Sequence, residues 1–229
     1  MSVNITADDP GDPGAGRAPG IVLIGLMGAG KSAVGRTVAA ESGLPFVDLD
    51  RVVQARAGTD IPTIFALGGE EAFRELEWQA LQELAGTGGD WRSGQREGPR
   101  RQEIGRPVTL EGGSPRGIIL ATGGGTPCRE ETWPLLRRLG LVVWLMVDPA
   151  VAAARLLESE PEVSGRPLLQ GAATGEELVH RLTQLLSART PWYERADVRV
   201  ETNGRTVAEI AAEVRRAWES ARTGRSAPA

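Results

Sequence analysis

Apolar residues in this chain fall into two alternating patterns: short continuous runs, and longer stretches in which they recur at helical spacing. Ile21-Val22-Leu23-Ile24 and Leu141-Val142-Val143-Trp144-Leu145-Met146-Val147 are apolar throughout, as strands covered on both faces are. Phe46-Val47 within the stretch Leu44 to Asp50, Ile118 to Ala121, and the segment Val198 to Thr202 supply three more strands. Helical spacing follows each one. Ala33 to Ala40, Arg51 to about Ala57, a short helix starting at Ile61 with Pro62 in its first position, Gly69 to Leu84, Glu130 to Arg138, Pro149 to Glu158, Thr174 to Thr190 and Val207 to about Ala221 are the predicted helices. In Gly69 to Leu84 the apolar stripe is Phe73, Leu76, Ala80, Leu81 and Leu84. No pair of strands is separated by a hairpin turn, so the strands must run parallel with helices on both faces.

Length and composition narrow this to one soluble α/β domain. The chain has 229 residues, 41% hydrophobic and 24% charged, enough for a single substantial core. Its formal net charge of −4 argues against nucleic acid as a partner, and no apolar run approaches the roughly 18 residues of a membrane span. One cysteine, Cys128, excludes an internal disulfide and fits a cytoplasmic protein. The expected domain is 19–222. Residues 1–18 and 223–229 are expected to be disordered tails, 86–117 a mobile insertion rich in glycine, arginine and proline, and about 157–170 a polar lid punctuated by prolines.

The chemistry gathers at the ends of the predicted strands. Gly25-Leu26-Met27-Gly28-Ala29-Gly30-Lys31-Ser32 follows the first strand and opens the first helix, the spacing of a phosphate-binding loop. Its glycines let backbone N–H groups close around a polyphosphate, Lys31 supplies a point charge, and the Ser32 hydroxyl suits Mg2+. Of the 26 basic residues Lys31 alone is lysine. Arginine has replaced lysine everywhere except where a compact ammonium is wanted. Asp48 and Asp50, two apart, are expected to share one face at the carboxyl end of the second strand, near that loop. Arg74 reads equally as a solvated arginine paired with Glu70 or Glu77. Gly123-Gly124-Gly125 ends the third strand where something must approach the backbone closely. His180, among Glu176, Glu177 and Arg181, reads as a surface residue.

Taken as a set, the loop, Asp48-Leu49-Asp50, Glu71-Ala72-Phe73-Arg74, the triple glycine, Gly165-Arg166-Pro167-Leu168-Leu169 and Arg189-Thr190-Pro191-Trp192-Tyr193 resemble the shikimate kinase family in order and approximate spacing, over about residues 20–218. Ala33 stands where many members carry threonine, and 86–117 is longer than usual in the family. The resemblance implies a P-loop, nucleoside-monophosphate-kinase-like three-layer sandwich with a five-stranded parallel sheet. It implies transfer of the ATP γ-phosphoryl group to the 3-hydroxyl of shikimate, with Mg2+, by a monomer. It assigns Gly28, Ala29, Gly30, Lys31, Ser32 and Ala33 to the nucleotide, with Arg155 and Arg205 on the adenine side and Arg166 on the lid. Ser32 and Asp48 would hold the metal. Asp50, Arg74, Gly123, Gly124, Gly125 and Arg189 would hold the acid substrate, with Lys31, Asp50 and Arg166 catalytic. Two other readings remain open at this point: a related kinase acting on gluconate, an aminoshikimate or a nucleoside monophosphate, and an ATP-dependent regulatory switch.

Overall fold

The computed structural model describes residues 20–86, 117–158 and 174–223. The tail 1–18, nearly all of the 86–117 insertion and of the 157–170 lid, and Arg166 lie outside the described residues. Within them the chain runs β1 (Gly20–Ile24), α1 (Lys31–Ser42), β2 (Phe46–Asp48), α2 (Leu49–Ala57), α3 (Ile61–Leu84), β3 (Ile119–Ala121), α4 (Trp133–Leu139), β4 (Gly140–Met146), α5 (Pro149–Glu158), α6 (Gly175–Tyr193), β5 (Val198–Glu201) and α7 (Val207–Thr223). Two short 3-10 turns, Thr126–Cys128 and Glu130–Thr132, link β3 to α4. Thr223, assigned to the tail from sequence, is the last residue of α7.

All five strands pair in parallel, in the order β2-β3-β1-β4-β5. β1 is therefore central, and its odd and even residues serve different cores. Ile21 and Leu23 join Leu141, Val143 and Leu145 of β4 under α1, α5, α6 and α7, where Val34, Leu156, Leu182 and Trp218 are buried. Val22 and Ile24 turn to the opposite face with Val142 and Trp144, against Ile64, Phe73 and Leu81 of α3, Trp133 of α4 and Tyr193. A strand that must be apolar on both sides reads as an uninterrupted hydrophobic run. The result is three layers, and every strand's carboxyl end opens onto the same edge, where open parallel sheets bind ligands.

Helix boundaries follow local chemistry. Gly43, with φ 72°, closes α1 by returning its N–H to the Ala39 carbonyl, a turn that residues with a Cβ rarely adopt. Asp60 caps α3 by accepting from the Thr63 N–H at 2.9 Å, and Thr174 and Glu177 form a reciprocal capping box at the start of α6. One sequence expectation holds and one is revised. α3 is two helical segments meeting at Gly69, whose non-helical backbone (φ 69°, ψ −170°) separates the short helix at Ile61 from the one that follows, as the sequence predicts. α6 does not stop at Thr190 but continues through Pro191 to Tyr193. A proline in the final turn removes one N–H without breaking the turns before it, and this extension carries Tyr193 into the core.

Candidate active site

The loop between β1 and α1 is shaped by three glycines at positive φ: Gly25 (136°), Gly28 (78°) and Gly30 (86°). A Cβ on Gly25 would stand 2.5 Å from the Leu145 carbonyl oxygen and one on Gly28 would stand 2.8 Å from that of Ala152. These two are fixed by packing against β4 and α5. Gly30 has nothing within 4 Å, so there the backbone angle and an open approach are what require glycine. The Lys31 ammonium donates to the carbonyls of Gly25 (2.8 Å) and Leu26 (2.9 Å) and so is held across the loop. Ala29 and the N-cap Gly30 lead into Lys31, Ser32 and Ala33, the first turn of α1, whose positive end faces the loop.

Ser32 donates to Asp48 Oδ2 at 2.8 Å, joining the first turn of α1 to the end of β2. A hydroxyl and a carboxylate oxygen side by side are hard donors suited to Mg2+, which commonly takes one or two protein oxygens and completes its shell with water and phosphate. Asp50 is placed differently from the expectation. β2 ends at Asp48, and Asp50 lies in the first turn of α2. Strand alternation therefore does not govern the two acids: Asp48 meets Ser32 from the end of β2, and Asp50 reaches Gly123 from the first turn of α2.

The three consecutive glycines each lie beneath a different functional side chain. A Cβ on Gly123 would stand 2.6 Å from Glu77 Oε1 and 3.1 Å from Asp50 Oδ1. One on Gly124 would be 3.0 Å from Arg189 Nη1, and one on Gly125 would collide with the Arg74 guanidinium. This is why β3 must end without side chains. Between α3 and α6 opens a cavity of about 540 Å3, bordered by Glu71, Arg74, Gly125, Cys128, Arg129 and Arg189.

The two arginines are held in contrasting ways. Arg74 donates to Glu77 Oε2 at 2.5 Å and to Glu70 Oε1 at 2.7 Å, so the local pairing expected of a solvated arginine and a place in the cavity hold at once. Burial disfavours its charge, yet Glu77 and Glu70 outweigh that and raise its pKa above the ordinary guanidinium value. Arg189 is 7% exposed, and its Nη1 has no hydrogen-bond partner among the described residues. A buried guanidinium with an unused donor is costly unless a ligand supplies the acceptor.

The burial of Glu77 escaped sequence reasoning, which offered it only as a surface partner of Arg74. Glu77 is 1% exposed, it accepts from Thr126 Oγ1 at 2.6 Å, and it aims Arg74 over Gly125. The signal was present: Glu77 lies four residues after Phe73 and four before Leu81, in the middle of the apolar stripe, where a carboxylate has no business unless paired. Tyr193 was quoted only as part of a motif. Its hydroxyl donates to the Gly124 carbonyl at 2.5 Å, and burial pushes its pKa well above the ordinary phenol value although Arg189 pulls the other way. Tyr193→Phe should lower stability by about 0.5–1.5 kcal/mol, since the part-buried Gly124 carbonyl loses its donor. Urea unfolding would show a lower midpoint with an unchanged slope.

Arg155 and Arg205 diverge. Arg155 bridges the Gly28 carbonyl (3.2 Å) and the Thr202 carbonyl (2.9 Å), tying the loop to the end of β5. Arg205 is engaged instead by the Glu201 carbonyl at 3.0 Å and by Glu213 at 2.7 Å, along the start of α7. His180 is exposed and contacts Gln184.

Comparison with known proteins follows the same lines. The sequence model of the family described as shikimate kinase matches residues 27–89 and 105–219. A shikimate kinase of Symbiobacterium thermophilum is 37% identical over 195 residues, covering 85% of this chain and 92% of its own. One from Thermus thermophilus is 36% identical over 202 residues, 88% of this chain and 91% of its own. Among solved structures, shikimate kinase from Acinetobacter baumannii in complex with shikimate superposes with a TM-score of 0.69 at 29% identity, covering 89% of this chain and 94% of that one. The enzyme from Bacteroides thetaiotaomicron gives 0.66 at 30% identity, with 87% and 96% covered.

Proposed function

This chain belongs to the shikimate kinase family, and we propose from that premise that it transfers the γ-phosphoryl group of ATP to the 3-hydroxyl of shikimate, giving shikimate 3-phosphate and ADP. The observation that carries this reading is the buried, unpartnered donor of Arg189 set beside Arg74 in one cavity, a few residues along the backbone from Asp50 over Gly123. Two planar guanidinium groups match a carboxylate with paired hydrogen bonds, and a carboxylate on α2 is where the acceptor alcohol must lose its proton.

The division of labour follows from placement. Gly28 to Ala33 wrap the phosphates, with Lys31 neutralising charge that builds during transfer. Ser32 and Asp48 would hold Mg2+, which supplies further charge neutralisation on the nucleotide. Arg74 and Arg189 bind and orient the acid, and Gly123, Gly124 and Gly125 let it come against the backbone. Asp50 positions the 3-hydroxyl and accepts its proton. Arg155 braces the loop on its adenine side; Arg205 belongs to this set through the family resemblance, as does Arg166, for which the lid position is the whole basis. The family resemblance implies a monomer, and ATP as co-substrate supports a cytoplasmic setting. No described helix is long and apolar enough to cross a membrane.

A coupled ADP-release assay with shikimate, quinate, gluconate and no acceptor tests the assignment. Shikimate should give the highest kcat/KM; equal rates with all four would overturn it. Gly125→Ala makes a narrower test. Gly125 has φ −98°, so alanine fits its backbone, and the Arg74 guanidinium is what stands nearest to the new methyl. KM for shikimate should rise at least about tenfold with KM for ATP unchanged, as initial-rate kinetics in both substrates would show.

A further inference from the structure

Cys128 closes the 3-10 turn that follows the triple glycine, is partly exposed, and borders the same cavity as Arg74 and Arg189. Its thiol is desolvated, which raises its pKa; Arg189 and Arg74 pull it down, while Glu77 and Glu70 push it up. Neutral electrophiles therefore gain little from this setting, because the thiolate is the nucleophile. An anionic electrophile meets something else. Arg74 is committed to Glu70 and Glu77, and Glu71 also faces the cavity, so the wall as a whole is not strongly positive. Arg189 differs: it is buried and its Nη1 lacks a partner among the described residues, which makes it a preformed receptor for one carboxylate.

Resting on the reading of this cavity as the acid pocket, we propose that Cys128 is a covalent modification site selective for small carboxylate-bearing alkylating electrophiles, which dock on Arg189 as the substrate acid does, so that adduct and acid exclude one another. With iodoacetate, the Cys128 sulfur attacks the iodinated carbon, a C–S bond forms as C–I breaks, iodide leaves and the thiol proton passes to solvent. No oxidant or reductant is needed. The gain over a neutral reagent comes from holding the reacting carbon beside the sulfur.

The single cysteine lets intact-mass spectrometry of the full chain count the adduct directly. Uptake rates of iodoacetate and iodoacetamide are each normalised to glutathione in the same buffer. The normalised ratio should favour iodoacetate at least about tenfold, Arg189→Met should abolish that preference, and saturating shikimate should slow iodoacetate uptake by a similar factor. Carboxymethylated protein should lose shikimate-dependent ADP release and still bind ATP. Equal normalised rates, no uptake in the folded protein, or uptake indifferent to shikimate in a protein that turns shikimate over would each overturn the proposal. Shikimate protection also decides the matter should Arg189→Met not fold. Turnover of shikimate by the unlabelled protein reads the acceptor assignment separately: iodoacetate preference without turnover would remove that assignment and leave an anion-selective thiol.

Discussion

Lys31→Ala is expected to lower kcat by at least about a thousandfold, with the fold intact. Phosphoryl transfer asks the protein for position and charge rather than covalent chemistry, and removing one preorganised donor from such a site commonly costs a factor of about 100 to 1,000. Lys31 stands above that range for a structural reason. Its ammonium spans the carbonyls of Gly25 and Leu26, so it holds the loop's curvature as well as supplying charge. Lys31→Arg is the informative companion. The chain uses arginine at each of its other basic positions, so loss of activity in the arginine variant would show that shape at this point matters beyond charge: a planar fork cannot sit between two carbonyls and a phosphate as an ammonium does. Thermal unfolding of both variants should stay close to that of the parent, because the side chain is only part-buried. Residual kcat within tenfold of the parent in Lys31→Ala would mean that the loop binds nucleotide without taking part in transfer.

Much of this could be read from the chain before any coordinates, and the reasons are local. β1 and β4 are buried on both faces, so their sequences carry no polar interruption, and five strands without hairpin turns between them leave a parallel sheet as the sensible arrangement. The loop was legible because its glycines and lysine are contiguous. Elements whose form depends on distant packing were less so. The Asp48 and Asp50 pair was placed near the loop for a reason that does not hold, since β2 gives way to α2 between them. Glu77 was read only as a surface partner of Arg74 because a charged residue in a helix is ordinarily solvated; what overrides that expectation is Thr126 closing on it from beyond β3 while Arg74 holds it from the same helix. Pairing and a place in the cavity also coexist at Arg74, whose ion pairs with Glu70 and Glu77 hold its guanidinium over Gly125.

Arg189 and Arg74 should separate when each is removed, although both face the same cavity. Either truncation takes a buried, charge-assisted contact from the acid, a loss of about 2–5 kcal/mol, so KM for shikimate should rise roughly thirtyfold or more in Arg74→Ala and in Arg189→Ala, with KM for ATP little changed. Stability should tell them apart. Removing Arg74 strands Glu77, whose side chain is 2% exposed, and an uncompensated buried charge costs about 3–5 kcal/mol. For a chain of this size that corresponds to a drop in Tm of roughly 6–20 °C. Arg189 strands no carboxylate, because no ion pair reaches it among the described residues; its own burial is an expense to the free protein, and Arg189→Met should leave Tm level or slightly higher. Saturation kinetics and calorimetry on the same preparations give both numbers. Should Arg189→Met bind shikimate as the parent does, the unused donor over Gly124 has some other purpose and the carboxylate clamp is not there. Should it unfold instead, Arg189 is a structural cation. A Tm for Arg74→Ala equal to the parent's would show Glu77 finding a proton or water in place of its partner, and would reduce the pair from a positioning device to a local contact.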